Sequence, residues 1–490
     1  MTRTAFAAER GLDPDWEEFR ALAHRAVDDV VGHLSNVRDR PAWQPVPDSV
    51  RAALTQPLPR TPSAVEDVYG LVRSLVYPYT LGNTHPRHWG WVTGTGTAVS
   101  TLADVVAAGL NANCAGFSQS PALVEEMAVR WMAEVMGFPA ESSGLFVSSG
   151  SIANLTALAV ARSARAGYDV RTEGVNGRLT MYCSTETHSS VQKGVEVLGL
   201  GSRALRRVAV DSDFRVDVTA LERAIRDDRA AGLTPVAVIG NAGTVSTGAI
   251  DDLEALASVC RRHGVWFHVD GAFGAGAAFS PRLRERVRGM ALADSLSFDP
   301  HKWMYLNYDV SLVLVRDPAA HRAAFRLIPP YLTPGGRGIT PGELTQAQLG
   351  IDLSRGFRAL KVWMALLVHG VDTYAAMVEQ NVAQANYLAE LVEADERLEL
   401  LAPVALNVVC FRYRGAVEDV ERLNAINKEV LLRLQESGVA APSGTVLHGR
   451  FAIRAAITNH RTRRGDLEVL VRAVGSAGDA LAVETVRSIG

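Results

Sequence analysis

Hydrophobic positions change their spacing several times along the chain, and each change marks a different kind of element. From Asp13 to about Asn36, Trp16, Phe19, Leu22, Ala26, Val30 and Leu34 recur every three or four residues, which is one face of an amphipathic helix, with Pro14 suited to its first turn. Pro41, Pro45, Pro47, Pro57, Pro59 and Pro62 follow, so the helix is expected to stand off as an arm whose apolar face packs on a partner. Folding back on its own chain is the plain alternative. The stretch Asn83 to Thr97, NTHPRHWGWVTGTGT, is rich in glycine and aromatic residues and reads as loop; a helix is expected from Val99 to Asn111.

From residue 144 to about 316 short apolar runs alternate with helical patterns. LFVSS precedes SIANLTALAVARSAR, RLTMYCS precedes SSVQKGVEVL, and PVAVIGN precedes DDLEALASVCRRHG; WFHVD, SLSF and VSLVLV complete the series. That alternation predicts an α/β fold with a mostly parallel central sheet and crossover helices, whose ligands bind beyond the carboxyl ends of the strands. A helix near Phe357 to Leu367 and a longer one from Tyr374 to about Ala394 come next. The strands LNVVCFRYR and FAIRAAITN, between helices, then predict a small C-terminal α+β domain. The expected division is an N-terminal helical arm and dimerisation segment over 1–98, a large domain over 99–370 and a small domain over 371–490.

Composition narrows the partners. The chain has 490 residues, 48% hydrophobic and 21% charged, with a formal net charge of −3, which gives no basic surface for nucleic acid or an acidic membrane. A small-molecule substrate is expected. Cys114, Cys183, Cys260 and Cys410 lie far apart with no CxxC spacing, so they read as reduced core thiols and no metal site is expected. The first residues carry acids where a leader's apolar stretch would stand, and no run reaches the roughly eighteen apolar residues of a membrane span, so a cytoplasmic location is expected.

The candidate chemistry sits at the strand ends. In DSLSFDPHKWMYLNYD, residues 294–309, an apolar run stops at Pro300 and delivers Lys302 directly after His301. Burial would lower the lysine pKa and give the nucleophilic amine that Schiff-base chemistry needs; a solvated charge is the ordinary alternative. Ser149, Gly150 and Ser151 open a helix, where free N–H groups and the dipole favour a phosphate, although serine caps helices without one far more often. Asp270 ends an apolar run and could hold a protonated ring nitrogen, or simply cap a turn. His188 offers a flat ring for stacking or proton transfer, or a core histidine. Trp89 and Trp91 could line a pocket or belong to the core. A phosphate cradle, an aromatic face, an acid for a ring nitrogen and a lysine for an aldehyde are together the needs of pyridoxal 5'-phosphate. No GxGxxG follows an early strand and no GxxxxGK[ST] occurs, which excludes the usual dinucleotide and nucleotide loops.

With HPRHWGWVTGTGT, FVSSGSIANLTAL, ETHSSVQKG, HVDGAFG, SFDPHKWMYLNYD and SRGFRALKVWMAL in this order, the chain resembles the group II pyridoxal-phosphate-dependent amino acid decarboxylases, those acting on aromatic amino acids, histidine and glutamate. The resemblance implies fold type I, aspartate aminotransferase-like, and a homodimer. It implies that Lys302 holds the cofactor aldehyde, Asp270 pairs with the pyridinium nitrogen and His188 stacks on the ring. Gly150 and Ser151 would cradle the phosphate with Ser149 and Ser246 as neighbours, and His301 would flank the lysine. The expected reaction is decarboxylation of an L-amino acid to the amine and carbon dioxide.

Three departures qualify it. No tyrosine occurs between Tyr331 and Tyr374, and an ungapped register puts Thr345 where aromatic decarboxylases have the tyrosine that protonates Cα. His188 or water would then donate the proton, or oxygen would intercept the carbanion to give an aldehyde, ammonia and peroxide. Asn83 and Gly94 stand where aromatic-specific relatives offer a tryptophan and a threonine; with Trp91, Phe117 and Tyr308 they form the expected substrate pocket, which favours a neutral or aromatic side chain. Arg355 is followed by Gly356, where relatives often have a second arginine. An aminotransferase and a catalytically silent relative are the remaining alternatives.

Overall fold

In the computed structural model, which describes residues 12–332 and 335–487, a seven-stranded sheet runs through the middle of the chain. Its strands are β1 (Ser143–Val147), β2 (Leu179–Ser184), β3 (Leu205–Val208), β4 (Thr234–Asn241), β5 (Trp266–Asp270), β6 (Ser295–Phe298) and β7 (Ser311–Val315). Their spatial order is β1-β7-β6-β5-β4-β2-β3. Neighbours from β3 to β6 pair in parallel, whereas β7 is antiparallel to both β1 and β6. Helices cover both faces, which is why β2, β5, β6 and β7 are buried along their whole length, β6 even though its SLSF alternates polar and apolar residues.

A second, antiparallel sheet near the C-terminus has the order β10-β11-β9-β8. It comprises β8 (Leu398–Leu400), β9 (Val408–Tyr413), β10 (Ser443–Leu447) and β11 (Arg450–Ala456). The expected strands became β9 and β11. The hydrophobic pattern missed β3, whose LRRV contains two arginines, and the short β8 and β10, whose alternate residues are partly exposed.

Local chemistry adjusts several expected boundaries. The first helix starts at Trp16 and ends at Ser35, because the Asp15 carboxylate accepts from the N–H groups of Glu17 and Glu18 and caps it. Pro14 therefore precedes the cap rather than filling the first turn. Trp16, Phe19, Val27 and Val31 stay exposed on this helix. Thr97 and Ser100 form a capping box that opens the helix Ala98–Leu110. The two helices expected after residue 357 run as Ala359–Glu393 and break at Gly370, whose φ of 71° is a backbone state glycine tolerates. The expectations on residues 1–11, 333–334 and 488–490 lie outside the described residues. Among the described residues no helix is long and apolar enough to cross a membrane.

Candidate active site

The carboxyl ends of β4, β5 and β6 open into one cleft of about 390 Å³, lined among others by Ser149, Gly150, Ser151, His188, Asp270, His301 and Lys302. Parallel pairing sets Asn241 of β4 beside Asp270 of β5, and Asp270 beside Ser297 of β6, so strands distant in sequence end at one level. Ser149 caps the helix Gly150–Arg165, its hydroxyl accepting from the Ile152 N–H, and the helix N-terminus faces the cleft.

Asp270 is buried, and Asn154 organises its surroundings. Asn154 Nδ2 donates to Asp270 Oδ2 at 2.9 Å and to Ser190 Oγ at 3.0 Å, while its Oδ1 accepts from Ser297 Oγ at 2.7 Å and from His268 Nε2 at 3.0 Å. Asp270 Oδ1 accepts from the Ala272 N–H at 3.1 Å. Burial drives the His268 pKa down to about 4, so the ring is neutral, its Nε2–H turned to Asn154 and its Nδ1 accepting from Ser295 Oγ. His188 Nδ1 accepts from the Ser190 N–H at 3.2 Å and lies 2.8 Å from Ser190 Oγ, which itself accepts from Asn154. Burial lowers the His188 pKa; the neutral ring keeps its proton on Nε2. One amide thus sets both the acid and the flat ring of the cleft.

Lys302 corrects the expectation of a lowered pKa. It lies on the turn Pro300–Trp303, whose geometry brings its Nζ to 2.8 Å from Asp299 Oδ2. Burial pulls the lysine pKa down, but the Asp299 charge and hydrogen bond outweigh it and hold the value above the ordinary range. His301 Nδ1 donates to the Val310 carbonyl at 2.6 Å, and its ring lies 4.5 Å from that of Tyr308.

Not every expected residue reaches this cleft. Trp91 and Tyr308 line it with Val92, Val245 and Phe273. Asn83 and Gly94 border an adjoining recess that shares Tyr308, with Asn83 Nδ2 donating to the Gly94 carbonyl. A Cβ on Gly94 would stand 1.8 Å from the His301 carbonyl oxygen, so glycine there is a backbone contact and not room made for substrate. Phe117 packs with Ala115 and Leu344 instead. Ser246 faces the C-terminal sheet: its carbonyl accepts from Arg454 Nε at 2.9 Å, while its neighbours Gly243 and Val245 line the cleft. Thr345 Oγ1 lies 3.3 Å from Glu126 Oε1, away from the cleft lining. Conversely, Asn154, Ser190 and Asp299 were missed, although Asp299 stands one helical turn before Lys302 and Asn154 one turn after Gly150.

The donor set suits a phosphorylated pyridine aldehyde: a lysine, a buried carboxylate held ready for a ring nitrogen, a neutral flat ring, and a helix N-terminus where glycine admits close approach. A model of the pyridoxal-dependent decarboxylase conserved domain matches residues 47–414. The chain belongs to the pyridoxal-dependent decarboxylase family. It is a pyridoxal 5'-phosphate-dependent carboxy-lyase. This decarboxylase is 33% identical over 473 residues to an aromatic-L-amino-acid decarboxylase of Bacillus atrophaeus, covering 95% of this chain and 97% of that one. It is 30% identical to a phenylacetaldehyde synthase of Arabidopsis thaliana, covering 90% and 92%. The crystal structure of Oryza sativa TDC with PLP and tryptamine superposes with a TM-score of 0.88 at 26% identity, covering 97% of this chain and all of that one. These likenesses settle the fold as the expected type I architecture.

Proposed function

We propose that this decarboxylase acts on an L-amino acid with a neutral or aromatic side chain and releases the amine and carbon dioxide. The carrying observation is the charge inventory of the cleft: among its described lining residues Lys302 is the single lysine or arginine, and it is matched by Asp270 and Asp299. A substrate bearing a side-chain carboxylate would have no cation to pair with, whereas Trp91, Val92, Val245, Phe273 and Tyr308 offer apolar surface. The similarity to an aromatic-L-amino-acid decarboxylase supports the same class.

Bound pyridoxal 5'-phosphate supplies the electron sink for the bond to the departing carboxylate. Lys302 would carry its aldehyde. Asp270, oriented by the Asn154 and Ala272 donors, would hold a proton on the ring nitrogen. His188 would cover the ring face, and its Nε2–H would donate toward the substrate. Ser149, Gly150 and Ser151 would receive the phosphate at the helix N-terminus. We also propose that a second copy covers the exposed face of the helix Trp16–Ser35, with 1–98 as the dimerisation arm, 99–370 as the cofactor domain and 371–490 as the small domain, in a cytoplasmic enzyme.

The second reading is an aldehyde synthase on the same site, favoured by the absence of Thr345 from the cleft's described lining and by the similarity to a phenylacetaldehyde synthase. Incubating the purified protein with each of the twenty amino acids and assaying carbon dioxide, amine, aldehyde and peroxide decides between them. Amine without peroxide is the expected result. Peroxide in step with carbon dioxide would overturn it.

A further inference from the structure

Lys302 does not stand in the cleft as a free amine. Its Nζ lies 2.8 Å from Asp299 Oδ2, and the other carboxylate oxygen, Oδ1, is buried with no hydrogen-bond partner. Asp299 itself is 1% exposed. Both oxygens press on Gly150, the first residue of the helix Gly150–Arg165: a Cβ there would stand 2.7 and 2.8 Å from them. The carboxylate therefore occupies the helix N-terminus to which Ser149 and Ser151 also belong, with one oxygen still lacking a partner.

The groups facing Asp299 come from several elements. Lys302 and His301 share its helical turn, the Ser311 hydroxyl of β7, itself without a hydrogen-bond partner, lies nearby, and His188 and Tyr308 feel its charge from across the cleft. Burial lowers the pKa of both histidines, so Lys302 is the cation of this group. Two conflicts follow once a phosphorylated aldehyde enters. An ammonium cannot attack a carbonyl, and a phosphate brings a second anion against a buried carboxylate. Moving one proton resolves both.

We propose that Asp299 takes the proton of Lys302 as the cofactor is loaded and remains a neutral carboxylic acid beside the phosphate, its free oxygen then able to take part in a hydrogen bond. The proposal rests on Lys302 being the cofactor lysine. The step balances: one N–H bond of the ammonium breaks and an O–H bond forms on Asp299. The freed amine pair then adds to the aldehyde carbon, and water leaves as the carbon–nitrogen double bond closes. No oxidant or further co-reactant is needed. Before loading, burial pushes the Asp299 carboxyl up, but the Lys302 charge and hydrogen bond more than offset that and hold it below its ordinary range, so the proton starts on the lysine.

Full-length protein loaded with pyridoxal 5'-phosphate tests this, with the visible band titrated between about pH 6 and about pH 8.5. If Asp299 is a neutral acid in the loaded protein, Asp299→Asn replaces one uncharged group by another, and the midpoint of the band's titration should agree with wild type to within about 0.3 pH unit. A midpoint lowered by about one unit or more in the variant would show a carboxylate there, overturning the role of Asp299 and leaving the lysine assignment standing. No visible band in either protein, or one that survives Lys302→Ala, would overturn both. Infrared difference spectra of the wild type alone give a second reading: loading should produce a protonated-carboxyl stretch, and its absence would refute the proposal.

Discussion

Two ion pairs, one wholly buried and one at the cleft, are built in opposite ways. Arg355 and Glu125, both 2% exposed in their side chains, are fully engaged. Arg355 donates to both Glu125 oxygens and to the carbonyls of Cys114 and Phe146, and Glu125 Oε1 accepts the Phe146 N–H in return. The pair thus clamps β1, the loop at Cys114 and the chain entering the helix Ala359–Glu393. Asp299 is also buried, but Lys302 is 21% exposed in its side chain and faces a cavity, and Asp299 Oδ1 has no partner. A charge pair whose every lone pair is used can only hold structure; one left short can exchange a proton or accept a ligand. The clamp also explains how Gly356 can follow Arg355, since Arg355 alone satisfies the acid and carbonyls around it.

Exchanging the pairs' partners sharpens this contrast. Lys302→Ala should abolish the visible cofactor band and cut decarboxylation by roughly a thousandfold or more while leaving thermal unfolding near wild type, as removal of a covalent anchor does. Arg355→Ala should do the reverse, stranding Glu125 and costing about 3–5 kcal/mol in denaturant unfolding. An Arg355→Ala protein that folds with wild-type stability but fails to load cofactor would break the comparison.

Acid probes both regions at once. His268 sits behind the cleft network, and His321 bridges Ser143 Oγ of β1 and the Leu349 carbonyl near the clamp; burial lowers each to about 4. Both rings are neutral when folded and ionise near pH 6.5 when unfolded. The unfolded chain therefore binds more protons, and stability should fall as pH drops from about 6.5 to about 4, by on the order of 3 kcal/mol at most for each ring. His268→Gln and His321→Gln should each flatten that slope in unfolding measurements.

The smallest expected effect is at the hub. Asn154→Ala leaves the His268 N–H and Asp270 Oδ2 each without a buried partner, for about 1–3 kcal/mol of stability. Because it also loosens Asp270 and Ser190, the visible band should shift its pH profile, which a purely structural loss would not cause.

How much of this was legible beforehand follows from distance along the chain. Lys302, Asp270 and His188 were readable because each ends a strand, and strand ends of a parallel sheet share an edge. Asn154 was not, since its partners lie 36, 114, 116 and 143 residues away and nothing local marks an amide as a hub. Ser246 shows the same limit: Gly243 and Val245 before it line the cleft, while its own carbonyl accepts from Arg454, more than two hundred residues away.

The sequence by itself determined the alternation of strand and helix, the family, and which acids, lysine and histidines are available, because hydrophobic periodicity and residue chemistry are local properties. Only the tertiary structure decided what those groups are. The order of the strands chose which strand ends share the cleft, and the path of the loops left Asn83, Gly94, Phe117 and Ser246 off its described lining. The turn Pro300–Trp303 brings Lys302 to Asp299, and the fold buries that carboxylate against the cleft, so the lysine pKa rises where burial alone would have lowered it. Ionisation depends on the charges and dipoles within a few ångströms, and those are set by the fold.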